Sequence, residues 1–235
     1  MSKTKKVILL IVEGIIDQIS LESVLPKLVI DRNVKFAITE GDMTTDRAVT
    51  TQNIKSKLVN IVISFLNSSR LRLSDILQII HIIDTDGAFV PNDCVIENQN
   101  ERLLYLSDRI ETQNTQGIVN RNEQKVRIVN MLIATEKIYN KKYDVYFFSR
   151  NIEHVLHNID RELSREEKLE RAYKFADLYH ENPTGFISFI SDPSIVVQGT
   201  KRETWDFIRQ NTNSLKRYSN IHVFLRELLE NNDAE

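Results

Sequence analysis

KVILLIVEGIID, Lys6–Asp17, is the stretch that decides the fold. An unbroken apolar run from Val7 through Val12 stops at Glu13-Gly14, and a further acid follows at Asp17. A short continuous run rich in β-branched residues reads as a strand buried on both faces, the pattern of a parallel sheet. The chain repeats the device when Ile79-Ile80-His81-Ile82-Ile83 leads into Asp84-Thr85-Asp86-Gly87. Both strands deliver an acid and then a glycine at their carboxyl ends, where open parallel sheets bind ligands.

Outward from these strands the pattern alternates. Asp17–Ile30 carries a helical stripe at Ile19, Leu21, Val24, Leu25 and Leu28, with a kink or break expected at Pro26. Val34–Thr39 reads as a second strand closed by Glu40-Gly41-Asp42, and Ile54–Leu66 as a helix with Ile54, Leu58, Ile61, Val62, Phe65 and Leu66 on one face. Ile76–Ile83 contains the third strand, and the alternation implies parallel strands with right-handed crossovers. Residues 87–120 are irregular and predict a long excursion with a short helix near Glu101–Arg109. Asn122–Tyr139 reads as a helix and Tyr143–Phe148 as a fourth strand. Beyond Ser149 helices are expected at Glu153–Ile159, Arg165–Tyr179, Thr184–Ile190, Arg202–Ile208 and Ile221–Leu229. The expected class is α/β, with a parallel-sheet core over residues 1–150 and a helical extension over 151–235 packed on it.

The 235 residues are 41% hydrophobic and 27% charged, ordinary values for a globular protein with ample core material. A net charge of -2 gives no global sign of nucleic-acid binding, although a local basic patch suffices to hold phosphates. The single Cys94 excludes a disulfide framework and a cysteine-based zinc site, and fits a reducing compartment. Met1-Ser2-Lys3 leads straight towards the first strand, and no apolar run is long enough to span a bilayer. The expectation is a cytoplasmic protein without membrane association.

If the first and third strands are neighbours, Glu13, Asp84 and Asp86 converge. Asp84 and Asp86, two apart, share a face in extended backbone. Two carboxylates ~4 Å apart repel by roughly 4 kcal/mol at an effective dielectric of 20, so such a cluster calls for a cation or a shared proton. An all-oxygen ligand set favours Mg²⁺ or Mn²⁺ over zinc. Gly14 and Gly87 would let the backbone turn sharply and leave room for a phosphate, which makes them candidate substrate-binding positions. The plainer account is that loops are polar and that Asp17 suits a helix N-terminus. The matched pair of strand ends outweighs it.

Val12-Glu13-Gly14-Ile15-Ile16-Asp17 together with Ile82-Ile83-Asp84-Thr85-Asp86 resembles the two motifs of the Toprim domain, over about residues 5–150. That domain is shared by topoisomerases, primases, small ribosomal-RNA maturases and OLD-type nucleases. The resemblance implies a Rossmann-like three-layer core, with Glu13 as the acid/base or metal-bound glutamate and Asp84 and Asp86 carrying Mg²⁺. It adds Asp17 as the acid that follows the first motif in the nuclease branch. Glu153, in Ser149-Arg150-Asn151-Ile152-Glu153, stands as a further metal ligand, and a first-turn helix glutamate is the alternative. Lys201, in Gly199-Thr200-Lys201-Arg202, matches a lysine that OLD-type enzymes use near substrate.

A topoisomerase needs a nucleophilic tyrosine on a separate DNA-gripping domain, and a primase usually brings zinc-binding cysteines. Neither suits this chain. The remaining implication is an Mg²⁺-dependent endonuclease, of the stand-alone type that works beside an ATPase partner in anti-phage defence. Two rivals stay open: a ribonuclease acting on structured RNA such as tRNA or an rRNA precursor, and an inactive Toprim module used for binding or assembly.

Other features read more plainly. His154 and His157 lie three apart on a helix but lack the further ligands of a zinc site. His81 sits within an apolar strand as a core histidine. Lys3, Lys5 and Lys6 form a small basic start, and Lys216-Arg217-Tyr218 puts positive charge beside an aromatic, a candidate phosphate contact or simply a solvated face. Gly199-Thr200-Lys201 lacks the remainder of a P-loop.

Overall fold

The computed structural model describes residues 5–29, 33–41, 43–44, 46, 48–100 and 102–230. Lys3, Ile30, Asp42 and Glu101, which enter the expectations above, lie outside the described residues. In chain order the first elements are β1 (Lys6–Val12), α1 (Ile15–Glu22), β2 (Val34–Glu40), α2 (Ile54–Ser69) and β3 (Ile76–Asp84). Next come β4 (Val95–Glu97), β5 (Leu104–Tyr105), β6 (Ile110–Thr112), α3 (Thr115–Ile133), β7 (Lys137–Ile138) and β8 (Lys141–Phe148). The chain then turns helical, with α4 (Ile152–His157), α5 (Arg165–His180), α6 (Pro183–Ile190), α7 (Lys201–Ile208) and α8 (Ile221–Glu230).

The main sheet has the order β2-β1-β3-β8-β7. β1 is parallel to β2, with Ile8 opposite Phe36, and parallel to β3, with Leu10 opposite Ile80 and Ile11 opposite His81. β7 runs antiparallel to β8 at the edge. Val7 through Val12 are all buried, as a strand flanked on both sides and covered on both faces requires. This is a mixed α/β chain with a mostly parallel sheet, consistent with a three-layer α/β arrangement.

The fold divides into two compact units, each drawn from three segments. The first comprises Met1–Ile82, Ile128–Val145 and Leu169–Phe186; the second comprises Ile83–Arg127, Tyr146–Lys168 and Ile187–Glu235. β3 and β8 therefore each begin in the first unit and end in the second.

In the first unit α2 turns Ile54, Leu58, Val62 and Leu66 inward at four-residue spacing and stops at Arg70 in the left-handed region, φ 55°. His81 is fully buried, with Nδ1 2.7 Å from the Tyr143 hydroxyl, and is a core histidine. The helix expected over Asp17–Ile30 is two pieces: α1 closes at Glu22, and a 3₁₀ turn over Leu25–Val29 absorbs Pro26. Pro26 sits in the first turn of that 3₁₀ segment, where its missing N–H forfeits no helical hydrogen bond.

The second unit holds the largest departure from expectation. No helix forms at 102–109; β4, β5 and β6 make a small sheet of order β4-β6-β5. β5 folds back on β6, pairing Tyr105 with Ile110, and the Leu106 amide donates to the Arg109 carbonyl at 2.9 Å. Leu103, Leu104 and Leu106 form an apolar run too short for periodicity to distinguish strand from helix. α3 correspondingly starts at Thr115 rather than Asn122 and stops at Ile133, short of Tyr139.

The unit's core is aromatic around Trp205, with its ring centroid 4.8 Å from that of Phe147 and 6.4 Å from that of Phe89. The segment before α8 clasps the end of β8: Ser149 donates to the Tyr218 carbonyl at 2.8 Å and the Ser219 hydroxyl to that of Phe147 at 2.9 Å. Asn220, fully buried, completes the clasp by accepting the Phe147 amide at 2.8 Å and donating to the Thr204 hydroxyl at 3.0 Å. Asn220→Ala would leave that amide unpaired in the core, at a cost of about 1–3 kcal/mol. Thermal unfolding is expected to drop by several degrees; an unchanged melting temperature would show that the clasp does not support the strand.

Candidate functional site

The second acidic strand end is built in the second unit. The pairing between the ends of β3 and β8 runs past both strands, with Thr85 donating to the Phe148 carbonyl at 3.0 Å and Asp86 to that of Arg150 at 2.8 Å. Thr85, fully buried between the two aspartates, is a peg: its Oγ1 accepts the Arg150 amide at 2.9 Å. The chain then reverses with Asp86 at φ 47° and Gly87 at φ 65°. Aspartate tolerates the left-handed region through its short polar side chain, and glycine enters it without a Cβ penalty. A Cβ at residue 87 would also sit 2.5 Å from a Leu215 methyl. This is the sharp turn expected of Gly87.

The Asp86 carboxylate is held by the buried Lys125 ammonium through Oδ2. One turn earlier on α3, Arg121 donates to the Asp86 carbonyl at 2.9 Å and to the Tyr105 hydroxyl at 2.8 Å. Burial opposes ionisation of Asp86, but Lys125, Arg121 and Lys168 outweigh it and hold its pKa below the ordinary carboxylate value. Asp84, the last residue of β3, is half-buried.

Arg150 faces this turn in a left-handed conformation of its own, φ 57°. Such backbone persists in a bulky residue only where the surroundings over-determine it, and it concentrates at functional sites. Here its amide is on Thr85, its carbonyl on Asp86, and its guanidinium on the Asp160 carboxylate at 3.2 Å and carbonyl at 2.8 Å. His154 Nε2 reaches the same Asp160 oxygen at 3.2 Å. Burial, then the charge of Arg150, lowers the His154 pKa to about 4.

The other expected residues are placed as follows. Glu153 is buried, with Lys168 Nζ 2.9 Å from its Oε1. Lys201 opens α7 with its ammonium 5.9 Å from the centroid of the Tyr146 ring. In the first unit Glu13 is half-buried and accepts the Thr44 hydroxyl. Asp17 is buried and accepts the Gly14 amide at 2.9 Å, which closes the first turn of α1. Gly14 is extended, φ -157°, and a Cβ there would meet nothing within 4 Å. Its backbone therefore makes no turn that demands glycine; what it leaves is open space.

Among the described residues no group of three or more His, Cys, Asp and Glu side chains is placed to hold a metal ion. Mg²⁺ needs less than that, since one or two carboxylates with water and phosphate oxygens complete its shell. Asp84 and Asp86 carry hard-oxygen donors, with Lys125 on Oδ2 of Asp86, although the left-handed Asp86 departs from the extended backbone in which the two acids were expected to share a face. In donor chemistry the residues fit.

No family model, curated protein or solved structure matches the chain. The Toprim resemblance rests on Val12–Asp17 and Ile82–Asp86 alone.

Lys125, Arg121, Arg150 and Asp160 were absent from the residues singled out in the sequence. Arg121 and Lys125, four apart, would have shared a helical face had the helix been started at Thr115.

Two outcomes are expected. Gly87→Ala imposes both left-handed strain and a clash with Leu215, and should cost about 1–3 kcal/mol in urea unfolding; an unaltered midpoint would contradict the turn. The unfolded chain protonates His154 near pH 6.5 and the folded chain near 4. Stability should therefore fall as pH decreases through that window and be unaffected above it, by on the order of 3 kcal/mol in full. His154→Gln should make the decline between pH 6.5 and 4 shallower, with His222, whose pKa burial also lowers, contributing to what remains; an equally steep decline in that variant would assign the effect elsewhere.

Proposed function

We propose that the chain is a nuclease that hydrolyses phosphodiester bonds of nucleic acid with the acids at the ends of β1 and β3. The observation that carries this reading is the sheet itself. β1 and β3 are parallel neighbours in register, Ile11 opposite His81, and each leads into its acidic motif. Carboxyl ends of adjacent parallel strands are the ligand-binding edge of such sheets.

Asp84 and Asp86 would hold Mg²⁺ or Mn²⁺. A bound divalent cation polarises a phosphoryl oxygen and lowers the pKa of a coordinated water. Glu13, which accepts the Thr44 hydroxyl, is by the Toprim resemblance the candidate general base. Lys125 and Arg121 fix the Asp86 turn and keep its carboxylate ionised. Asp17 supports Glu13 indirectly, by holding the Gly14 amide and so the start of α1. Glu153 as a second metal ligand would have to be drawn from Lys168, and Lys201 as a substrate contact from the Tyr146 face.

Partnership with an ATPase and a role in anti-phage defence belong to the same proposal, by resemblance. Among the described residues no helix is long and apolar enough to cross a membrane. A second reading, a module that binds nucleic acid without cutting it, is favoured by the engagement of Asp86 with Lys125.

The test is to incubate purified protein with plasmid, single-stranded DNA and tRNA in Mg²⁺ or Mn²⁺. Cleavage of at least one substrate is expected, lost on chelation and abolished by Glu13→Gln and by Asp84→Asn while circular dichroism and melting stay native. Full activity in both variants would remove these acids from the reaction. Binding without cleavage in any condition would leave the non-catalytic reading.

A further inference from the structure

A cavity of about 560 Å³ lies wholly within the second unit, lined by Tyr105, Arg109, Arg150, His154, Lys216 and Arg217 among others. Its size is in the range of small-ligand sites. None of the strand-end acids lines it.

The lining is charged, and unevenly so. Arg109, Arg150, Lys216 and Arg217 face Asp108 and Asp160. Arg109 is matched by neighbours, 3.1 Å from Asp108 and 2.6 Å from Glu111. Within the lining that leaves Arg150, Lys216 and Arg217 against Asp160, while Asp192, outside the lining, also acts on Arg217. Asp160 is itself 79% exposed, so water screens it from the cations it faces. Burial depresses the pKa of both Arg150 and Arg217, as expected of cations withdrawn from water without full compensation.

The cavity wall is also incompletely hydrogen-bonded. Arg150 and His154 are each more than nine-tenths buried; His154 is engaged by Asp160 and the Ser149 backbone, whereas Arg150 Nε has no partner. Buried polar atoms are almost always paired, so an orphaned guanidinium nitrogen on a residue lining the cavity marks a place where a ligand or its water belongs. Arg150 is meanwhile fixed in strained backbone, and its guanidinium lies 5.2 Å from the Tyr105 ring centroid. Arg217 is fixed by its Nε on the Val155 carbonyl at 2.8 Å. Pre-positioned guanidinium groups are the usual means of recognising phosphate oxygens.

We propose that this cavity is a binding site for a phosphomonoester, with Arg150, Lys216 and Arg217 as its cationic seat. In the lining Arg150, Lys216 and Arg217 outnumber Asp160, which suits the dianion of a phosphomonoester. Two sources carry that group, a free nucleotide and the phosphorylated end of a nucleic-acid strand. The site stands independently of the proposed hydrolysis, because none of the acids assigned to that reaction contributes to it.

The experiment is a calorimetric titration with two matched pairs of probes: AMP against adenosine, and a 5′-phosphorylated against a 5′-hydroxyl tetranucleotide. In at least one pair the phosphorylated probe is expected to bind ten-fold tighter or better, with inorganic phosphate competing. The preference should disappear in Lys216→Ala/Arg217→Gln and weaken in Arg150→Lys, with melting of the double variant showing that its fold is retained. It should persist in Asp84→Asn, so loss of cleavage and loss of this site are separable. Equal affinity within both pairs, or a phosphate preference that survives the double substitution in folded protein, would overturn the proposal.

Discussion

The ion pair between Lys125 and Asp86 is the interaction on which the second unit's site depends. A buried lysine must find an anion, because an uncompensated ammonium in the interior costs several kcal/mol. Lys125 sits on α3, and the anion it finds belongs to a turn whose backbone is left-handed at two successive residues. The pair therefore joins a helix to the end of β3. Thr85 joins the same turn to Arg150 beyond β8, and Arg121 adds a third attachment through the Asp86 carbonyl. The turn is thus held through backbone, peg and charge at once, which is what keeps Asp86 and Arg150 in conformations they would not adopt alone.

Electrostatics then divides the chain in a way its net charge of -2 conceals. Around residues 84–86 the acids are met by Lys125, Arg121 and the field of Lys168. Around Arg150 the balance reverses, since Asp160 faces several cations and His154 is kept neutral by burial. A near-neutral chain can therefore hold a cation-compensated acidic turn and a cation-rich cavity within one compact unit. Neither is visible in the totals.

The strands were legible in the sequence because continuous apolar runs such as Val7–Val12 have few alternatives. α2 and the helices after Ser149 were legible because their apolar spacing is regular. Residues 102–112 were not, because a hairpin of two- and three-residue strands carries no periodicity and is specified by pairing with partners distant in sequence. The candidate acids were legible as strand ends, yet their engagements were not. Nothing in Asp84-Thr85-Asp86-Gly87 announces that Lys125 will reach Asp86, or that the threonine between the acids is the structural peg. Lys216-Arg217 was noticed as a charged pair beside an aromatic. Only the fold brings it to Arg150 and His154 in one cavity.

The central claim is that Asp84 and Asp86 form the cation-binding end of β3. Crystals soaked in Mn²⁺ and measured at the manganese edge test it most directly. The account expects an anomalous peak within coordinating distance of Asp84 and of Asp86 Oδ1, with Lys125 still on Oδ2, and expects that peak to vanish in Asp84→Asn. A peak seated elsewhere, or none in protein that keeps the Lys125–Asp86 pair intact, would contradict it.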